Sequence, residues 1–121
     1  MLIDETAGSG GDLLPWMFRK YKLGPLVGKR TWGGLVGILG FLVLMDGARV
    51  TAPNLAIWTE DGWVVENEGV PPDVEVEQWP ADVLAGKDPQ LDKAIQIFME
   101  ELKKQPAKER KRPPYPVRVA K

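Results

Sequence analysis

The first apolar positions of the chain change from an adjacent pair to a helical spacing. Leu2 and Ile3 form a short apolar run that can end a buried strand. The small-residue segment Ala7-Gly8-Ser9-Gly10-Gly11-Asp12 follows. Apolar residues then recur at helical spacing: Leu13, Leu14, Met17, Phe18 and Tyr21. The pattern predicts a strand, a tight turn at Ser9 and a helix, with Pro15 in the first helical turn, where its missing N–H costs least.

The middle of the chain consists of short apolar runs separated by turn signals. Strands are predicted at residues 26–28, at 35–39 and 41–45 around Gly40, at 49–51, at 55–59 after Pro53, at 63–65 and, as an edge strand, at 74–77. Asp46-Gly47 and Glu60-Asp61-Gly62 are turn signals. The apolar run 33–45 is too short for a bilayer span, which needs ~20 residues. It is predicted to be a buried strand pair.

A second amphipathic helix is predicted near the C-terminal end. Asp88 can cap it, with Pro89 as its first residue. Its apolar stripe comprises Leu91, Ala94, Ile95, Phe98 and Leu102. Lys103-Lys104 suit the end of the helix, and Pro106 stops it. Periodicity alone therefore predicts a mixed α/β protein.

Charge divides the chain into two parts of opposite sign. The formal net charge is −1. Residues 1–102 carry eight basic and 16 acidic residues, whereas residues 103–121 carry eight basic residues and Glu109 as the single acid. We therefore predict a domain over 1–104 and a basic, proline-rich, extended tail over 105–121. The basic run 108–112 permits a nucleic-acid or localisation function. We favour a solvated tail, or one that packs on a neighbouring subunit, because no aromatic stacking surface accompanies the run.

The composition removes several kinds of chemistry. The 121 residues contain no histidine and no cysteine, so disulfides and thiolate metal sites are excluded and an ordinary zinc site is not expected. We expect no cofactor, no nucleic-acid partner and no membrane partner. Residues 1–12 lack a basic region followed by a long apolar segment, which argues against a secretory signal. The expected location is the cytoplasm.

Ser9 is the first candidate for chemistry. A serine at a strand-to-helix turn lies near unpaired N–H groups at the positive end of the helix dipole. Those donors can stabilise a developing oxyanion, and the N–H of Gly10 is the natural one because it follows the nucleophile. The alternative is that Ser9 caps the helix and the glycines form an ordinary loop. A nucleophilic serine also needs a base, which is usually histidine.

Five segments in order resemble one family. They are Glu5-Thr6-Ala7-Gly8-Ser9-Gly10-Gly11-Asp12, residues 23–34 ending in Thr31-Trp32-Gly33-Gly34, Leu44-Met45-Asp46-Gly47, residues 64–73, and Gly86-Lys87-Asp88-Pro89-Gln90-Leu91-Asp92. Over about residues 1–104 the chain resembles the C-terminal catalytic region of tricorn-type serine peptidases, which belong with the carboxy-terminal processing peptidases. The resemblance implies a crotonase/Clp-peptidase-like spiral fold, of which this chain is the nucleophile-bearing part.

The resemblance also distinguishes two kinds of base. Related processing peptidases use a lysine in a Thr-Phe-Gly-Lys-Gly motif, with a depressed pKa that lets it take the serine proton. The matching position here is Gly34, and Lys29 and Arg30 are at the wrong positions. The tricorn branch uses a serine and a histidine with a supporting serine and glutamate. Its histidine and supporting serine are expected upstream of this chain, together with the second oxyanion donor and the acidic specificity residue.

The supporting glutamate is expected within this chain. By resemblance it is Glu66, which follows a predicted strand, with Glu68 as the competitor if the register is off by two. A carboxylate at this position would orient the hydrogen-bonded serine and histidine side chains of that site without attacking the substrate. The alternative is an acid on a loop surface. Val70-Pro71-Pro72-Asp73 is interpreted as a structural turn.

The tryptophans are a possible ligand-stacking surface. Trp32 matches the family's Thr-Trp-Gly motif and is expected beside the nucleophile turn, whereas Trp58, Trp63 and Trp79 are expected in the core or at an interface.

The function predicted is that of the C-terminal catalytic portion of a serine endopeptidase, with Ser9 as nucleophile and the histidine supplied from outside the chain. Its expected partners are peptide substrates, the upstream part of the same catalytic domain and further copies of the chain in a homo-oligomer. The alternative is a non-catalytic scaffold or interaction domain that retains the peptidase fold.

Overall fold

A computed structural model describes residues 1–104, 110–116 and 118. Its elements are, in chain order, β1 (Leu2–Ile3), α1 (Gly10–Lys20), β2 (Val27–Gly28), β3 (Gly37–Val43), β4 (Arg49–Leu55), β5 (Trp58–Thr59), β6 (Gly62–Trp63), β7 (Val74–Glu75), α2 (Pro80–Leu84) and α3 (Pro89–Lys104). The mixed α/β composition that the pattern predicts is confirmed.

A small parallel sheet carries the core. Its strand order is β1-β2-β7, with Leu2 opposite Val27 and Val27 opposite Val74. Strand β7 lies at the edge, as predicted, although it is shorter than residues 74–77. The buried core cluster comprises Ile3, Leu26, Leu35, Val64, Val65 and Val70. Parallel strands that are covered on both faces need such apolar runs.

Gly28 allows β1 and β2 to approach each other. Its φ is +130°, and a Cβ atom at this position would lie 2.0 Å from the carbonyl oxygen of Ile3. Only glycine adopts this conformation without strain at such a close approach.

Strands β3 and β4 form an antiparallel hairpin that differs from the prediction in two ways. Each strand is continuous, β3 through Gly40 and β4 through Pro53. The predicted turn at Asp46-Gly47 joins them. The hairpin is also not buried, because large apolar side chains of both strands are exposed: Ile38, Leu39, Leu42, Val43, Val50 and Leu55. The predicted burial of the run 33–45 is therefore wrong for its hairpin part.

The other predicted hairpin is confirmed, since β5 and β6 pair around Glu60-Asp61, with Thr59 opposite Gly62 and Trp58 opposite Trp63. Trp58, Trp63 and Trp79 were expected in the core or at an interface. Their side chains are all exposed, so the core position is wrong, and the interface position stays a prediction.

Both predicted helices are present. Pro15 lies in the second turn of α1 rather than the first, and it is buried. The side chain of Asp88 accepts a hydrogen bond from the Leu91 N–H at 2.9 Å, which confirms the predicted cap of α3. The predicted apolar stripe of α3 is only partly covered, since Leu91, Ile95, Phe98 and Leu102 are exposed. The short helix α2 was not predicted.

Most of the predicted tail lies outside the described residues, which contain only 110–116 and 118 of it. The helices formed by described residues include none that is long and apolar enough to cross a membrane.

Candidate functional site

Ser9 occupies a strained position in front of α1. Its backbone has φ 54° and ψ −111°, whereas a capping serine normally has extended backbone angles. The hydroxyl of Ser9 makes no capping hydrogen bond, and the residue is exposed. Ser9 is thus the residue before the helix, but its side chain does not cap it. A non-glycine residue at positive φ in a cleft is the kind of strain that collects at functional sites.

Backbone hydrogen bonds hold this turn from both sides. The Ser9 carbonyl accepts from the N–H groups of Asp12 and Leu13, each at 3.0 Å, and the Ser9 N–H donates to the Gly34 carbonyl at 3.0 Å. Gly10 is the first residue of α1, so its N–H has no acceptor within the helix. The exposed hydroxyl and this N–H are therefore adjacent, as an attacking group and an oxyanion donor must be.

The segment Thr31–Val36 lies against the turn. The Trp32 N–H donates to the Ala7 carbonyl at 2.9 Å. The Trp32 indole covers two glycines, because a Cβ atom at Gly8 would lie 2.6 Å from the ring and one at Gly34 would lie 2.5 Å from it. Trp32 lies beside the Ser9 turn, as expected, and it leaves no space for a side chain at Gly34.

Asp12 is a site residue that sequence reasoning missed. It is fully buried, with an exposed fraction of 0%. Its Oδ1 accepts from the Gly33 N–H at 2.8 Å and its Oδ2 from the Gly34 N–H at 3.0 Å. A signal was present, because an acid in the first turn of a helix beside a glycine turn is well placed for backbone N–H groups. The partner segment, however, lies 21 residues further along the chain.

Glu66 binds the next two residues of the same segment. Its Oε2 accepts from the N–H of Leu35 at 2.6 Å and of Val36 at 2.7 Å. Its neighbours Val65 and Asn67 have φ 72° and φ 63°. Positive φ is unusual for a β-branched residue such as Val65, so surrounding structure must impose this sharp bend.

Ser9 and Glu66 line one open groove of about 690 Å³, whose wall also includes Trp32, Gly33, Gly34, Val36, Gly37, Ile38, Pro53 and Asn67. Glu68 lies outside this groove and lines a separate depression with Trp16 and Arg19. Glu66 therefore lines the same groove as Ser9, whereas Glu68 does not.

The two nearby cations have other partners. The Lys29 ammonium contacts the carboxylates of Glu77 at 2.6 Å and Glu75 at 3.3 Å, and the hydrogen bonds that it donates to Glu77 and Glu75 raise the pKa of Lys29. A lysine base needs the opposite shift. Arg30 donates to the backbone carbonyls of Glu68 at 2.7 Å and Thr31 at 3.0 Å.

This turn, groove and carboxylate pattern occurs in a chain whose residues 1–76 match the profile of peptidase family S41. The chain belongs to peptidase family S41.

Among curated relatives, the chain is 52% identical over 103 residues to the tricorn protease of Thermoplasma acidophilum, covering 84% of the chain and 10% of that protein. It is 49% identical over 106 residues to tricorn protease homolog 1 of Streptomyces coelicolor, covering 87% and 10%. It is also similar to the crystal structure of the tricorn protease, with TM-score 0.77, 51% identity, and 84% and 10% coverage. The chain thus spans about one tenth of the length of these relatives.

Proposed function

We propose that the chain is the nucleophile-bearing part of the catalytic domain of a tricorn-like serine endopeptidase. The complete domain would have a crotonase/Clp-peptidase-like spiral fold. The observation that carries the proposal is the position of Ser9 immediately before α1, next to the N–H of Gly10. Ser9 has strained backbone angles, its side chain is exposed, and its hydroxyl makes no capping hydrogen bond. The family relationship and the groove that Ser9 shares with Glu66 support it.

The reaction assigns one role to each residue. The Ser9 Oγ attacks the scissile carbonyl carbon of a peptide while a base takes its proton, and the carbonyl oxygen becomes an oxyanion that accepts a hydrogen bond from the Gly10 N–H. Collapse of this intermediate breaks the C–N bond, and the base returns the proton to the leaving amine. Water then hydrolyses the acyl-serine by the same steps.

We propose that the base comes from another polypeptide segment. The 121 residues contain no histidine, and the pKa of Lys29 is shifted in the wrong direction for a base. We propose that the histidine and its supporting serine lie on sequence outside this chain. Glu66 would support them with its Oε1, because Oε2 is already bound by two backbone N–H groups. Peptides, the polypeptide that carries the histidine, and further copies of the chain are the proposed partners.

The test is a chimera in which this chain replaces the matching 103-residue segment of the Thermoplasma acidophilum tricorn protease. We expect the chimera to hydrolyse short fluorogenic peptides, and Ser9→Ala to abolish hydrolysis. A fluorophosphonate probe should label Ser9 in the chimera and not in the isolated chain. Loss of a triad costs on the order of 10⁶-fold in rate in one well-studied peptidase, so the isolated chain should show negligible activity.

Two outcomes would contradict the proposal. Equal labelling of Ser9 in the chimera and in the isolated chain would mean that a group within the 121 residues activates it. A folded chimera without activity or labelling would favour the alternative, a scaffold domain that retains the peptidase fold. Glu68→Gln serves as the matched control, because Glu68 is exposed and does not line the groove that Ser9 and Glu66 line.

A further inference from the structure

We propose that Asp12 is a positioning residue that fixes the Ser9 turn against the glycine segment opposite it. The inference rests on the proposed function of Ser9. Asp12 does not face the groove and does not touch a reacting group, so its effect must pass through the backbone that it binds.

The first step is that Asp12 uses both carboxylate oxygens on one segment. Oδ1 binds the Gly33 N–H and Oδ2 binds the Gly34 N–H, at 2.8 and 3.0 Å. Consecutive N–H groups bound by the two oxygens of one carboxylate fix the orientation of both peptide planes. Because each oxygen of Asp12 has its own N–H partner, a side chain of the same shape with one acceptor oxygen would leave one of the two N–H groups without an acceptor.

The second step connects those peptide planes to Ser9. The carbonyl of Gly34 accepts the Ser9 N–H at 3.0 Å, and the carbonyl of Gly33 accepts the Asn67 N–H at 2.7 Å, next to Glu66. The Gly33 carbonyl belongs to the 33–34 peptide, whose N–H is bound by Asp12, whereas the Gly34 carbonyl belongs to the next peptide, whose Leu35 N–H is bound by Glu66. A rotation of the 33–34 peptide would therefore move the backbone beside Glu66 directly, and it would move the backbone acceptor of Ser9 through the Gly34 Cα atom that joins the two peptides.

The third step is that packing alone does not explain a carboxylate at position 12. A fully buried carboxylate is costly unless charged or hydrogen-bonded partners compensate it. Within the described part of the chain no lysine or arginine forms an ion pair with Asp12. Its compensation comes from two N–H groups and from the start of α1, where negative charge is favourable.

The fourth step is that the Asp12 carboxylate does not bind the N–H groups at the start of its own helix. An acid at the third position of a helix can bond back to the N–H of the residue before the helix. In this chain the Ser9 N–H instead donates to Gly34, and both oxygens of Asp12 bind the opposite segment. Asp12 thus holds the turn from the side and leaves the Gly10 N–H free of its carboxylate.

The test compares Asp12→Asn with Asp73→Asn. An amide has the shape of the carboxylate but only one acceptor oxygen, so one of the two glycine N–H groups would face an NH₂ group. Asp73 is a matched control because its carboxylate also joins two segments, accepting from the Leu26 N–H at 2.7 Å and from Arg19 at 2.8 Å, but lies away from the groove.

The first readout uses the 121-residue chain. Amide hydrogen exchange measured by NMR should become at least about tenfold faster at Gly33, Gly34 and Ser9 in Asp12→Asn, because tenfold corresponds to the loss of one modest hydrogen bond. The same amides should be unchanged, relative to the rest of the chain, in Asp73→Asn. Unchanged exchange at Ser9 in a folded Asp12→Asn would overturn the inference.

The second readout uses the chimera. We expect Asp12→Asn to lower kcat and the rate of fluorophosphonate labelling by about 10- to 100-fold, with KM changed by less than about twofold, since an error of about 1 Å in position can cost 100-fold. Asp73→Asn should label at the wild-type rate. Equal losses in both variants, or a loss confined to KM, would show that Asp12 is only structural.

A second variant, Asp12→Glu, tests the inference if Asp12→Asn does not fold. Asp12→Glu keeps the charge and both oxygens but moves them by one methylene group, and we expect it to fold and to label at least about threefold more slowly than wild type. A wild-type labelling rate would overturn the inference. If the wild-type chimera itself is inactive, the proposed function fails, whereas the exchange experiment still decides whether Asp12 holds the turn.

Discussion

Substitutions at Glu66 can separate its structural role from its chemical role, because both hydrogen bonds that its side chain accepts end on one oxygen atom. The N–H groups of Leu35 and Val36 donate to Oε2. In Glu66→Gln the amide oxygen can take the place of Oε2 and accept both bonds, and the NH₂ group then takes the place of Oε1. In Glu66→Ala both N–H groups lose their acceptor, and Leu35 is buried.

The expected free energies follow from this geometry. A hydrogen bond to a charged group is worth about 1.5–3 kcal/mol and a neutral one about 0.5–1.5 kcal/mol. Because Glu66 is only half-buried, we expect Glu66→Ala to lose about 3 kcal/mol of unfolding free energy and Glu66→Gln about 1 kcal/mol. With a urea m-value of about 2 kcal/mol/M, the unfolding midpoints should fall by about 1.5 M and about 0.5 M.

The assay is urea unfolding of the 121-residue chain, followed by circular dichroism, with Glu68→Gln as the matched control. Glu68 is exposed and its side chain lies outside the groove. The urea unfolding midpoint of Glu68→Gln should therefore stay within about 0.2 M of the wild-type midpoint. In the active chimera, Glu66→Gln should lower kcat more than it changes KM, while Glu68→Gln does little. Equal destabilisation by Glu66→Gln and Glu66→Ala would refute the two-bond account, and a kcat loss in Glu68→Gln alone would show that the register is wrong.

Three further predictions concern the base, acid stability and association. Gly34→Lys should not replace the histidine in the isolated chain, because a Cβ atom there lies 2.5 Å from the Trp32 ring; Ser9-dependent hydrolysis by this variant would contradict that. The hydrogen bond from the Leu26 N–H, followed by Arg19, lowers the pKa of Asp73 from 3.8. The contribution of Asp73 to stability is therefore present above the unfolded pKa and lost as the pH falls through the folded pKa. In Asp73→Asn the urea unfolding midpoint should therefore change less with pH between about pH 5 and 2 than in the wild type. The same dependence of the midpoint on pH in both proteins would contradict this prediction. The exposed β3–β4 hairpin should make the isolated chain self-associate in light scattering, and Leu42→Lys should reduce this association; a stable wild-type monomer would argue against it.

Local signals predicted much of the fold. The strand–turn–helix at Ser9, the β5–β6 hairpin and the cap of α3 each depend on residues within a few positions of one another. Pro53 misled the strand prediction because proline usually interrupts a strand. Strand β4 belongs to a two-stranded sheet, however, and both strands of such a sheet are edges, where the missing N–H is tolerated.

Burial was harder to predict, because an apolar run shows that a segment can be covered but not what covers it. The hairpin run 37–43 has the composition of a buried strand, yet its side chains Ile38, Leu39 and Leu42 are exposed in this chain. The same limit applies to the stripe of α3. Patterns of apolar residues constrain local structure, whereas burial also depends on every other segment that is present.

The candidate site divides in the same way. The turn pattern identified Ser9 and Gly10, and the family resemblance identified Glu66. Neither could show that Asp12 and Glu66 bind adjacent pairs of N–H groups, because those contacts join residues 21–22 and 30–31 positions apart.

These contacts explain how a segment with little side-chain chemistry can organise the site. Four consecutive N–H groups, those of residues 33–36, donate to two carboxylates, the first pair to Asp12 and the second pair to Glu66. Consecutive amides that point to acceptors on different elements cannot lie in a regular helix or strand ladder, and Gly33, at φ +89°, provides the backbone freedom that this path needs. The segment therefore depends on both carboxylates for its shape, and the Ser9 N–H depends on the segment for its acceptor. A change at either carboxylate should reach Ser9 through the backbone of residues 33–36, which is why neither acid can be assigned a purely local role.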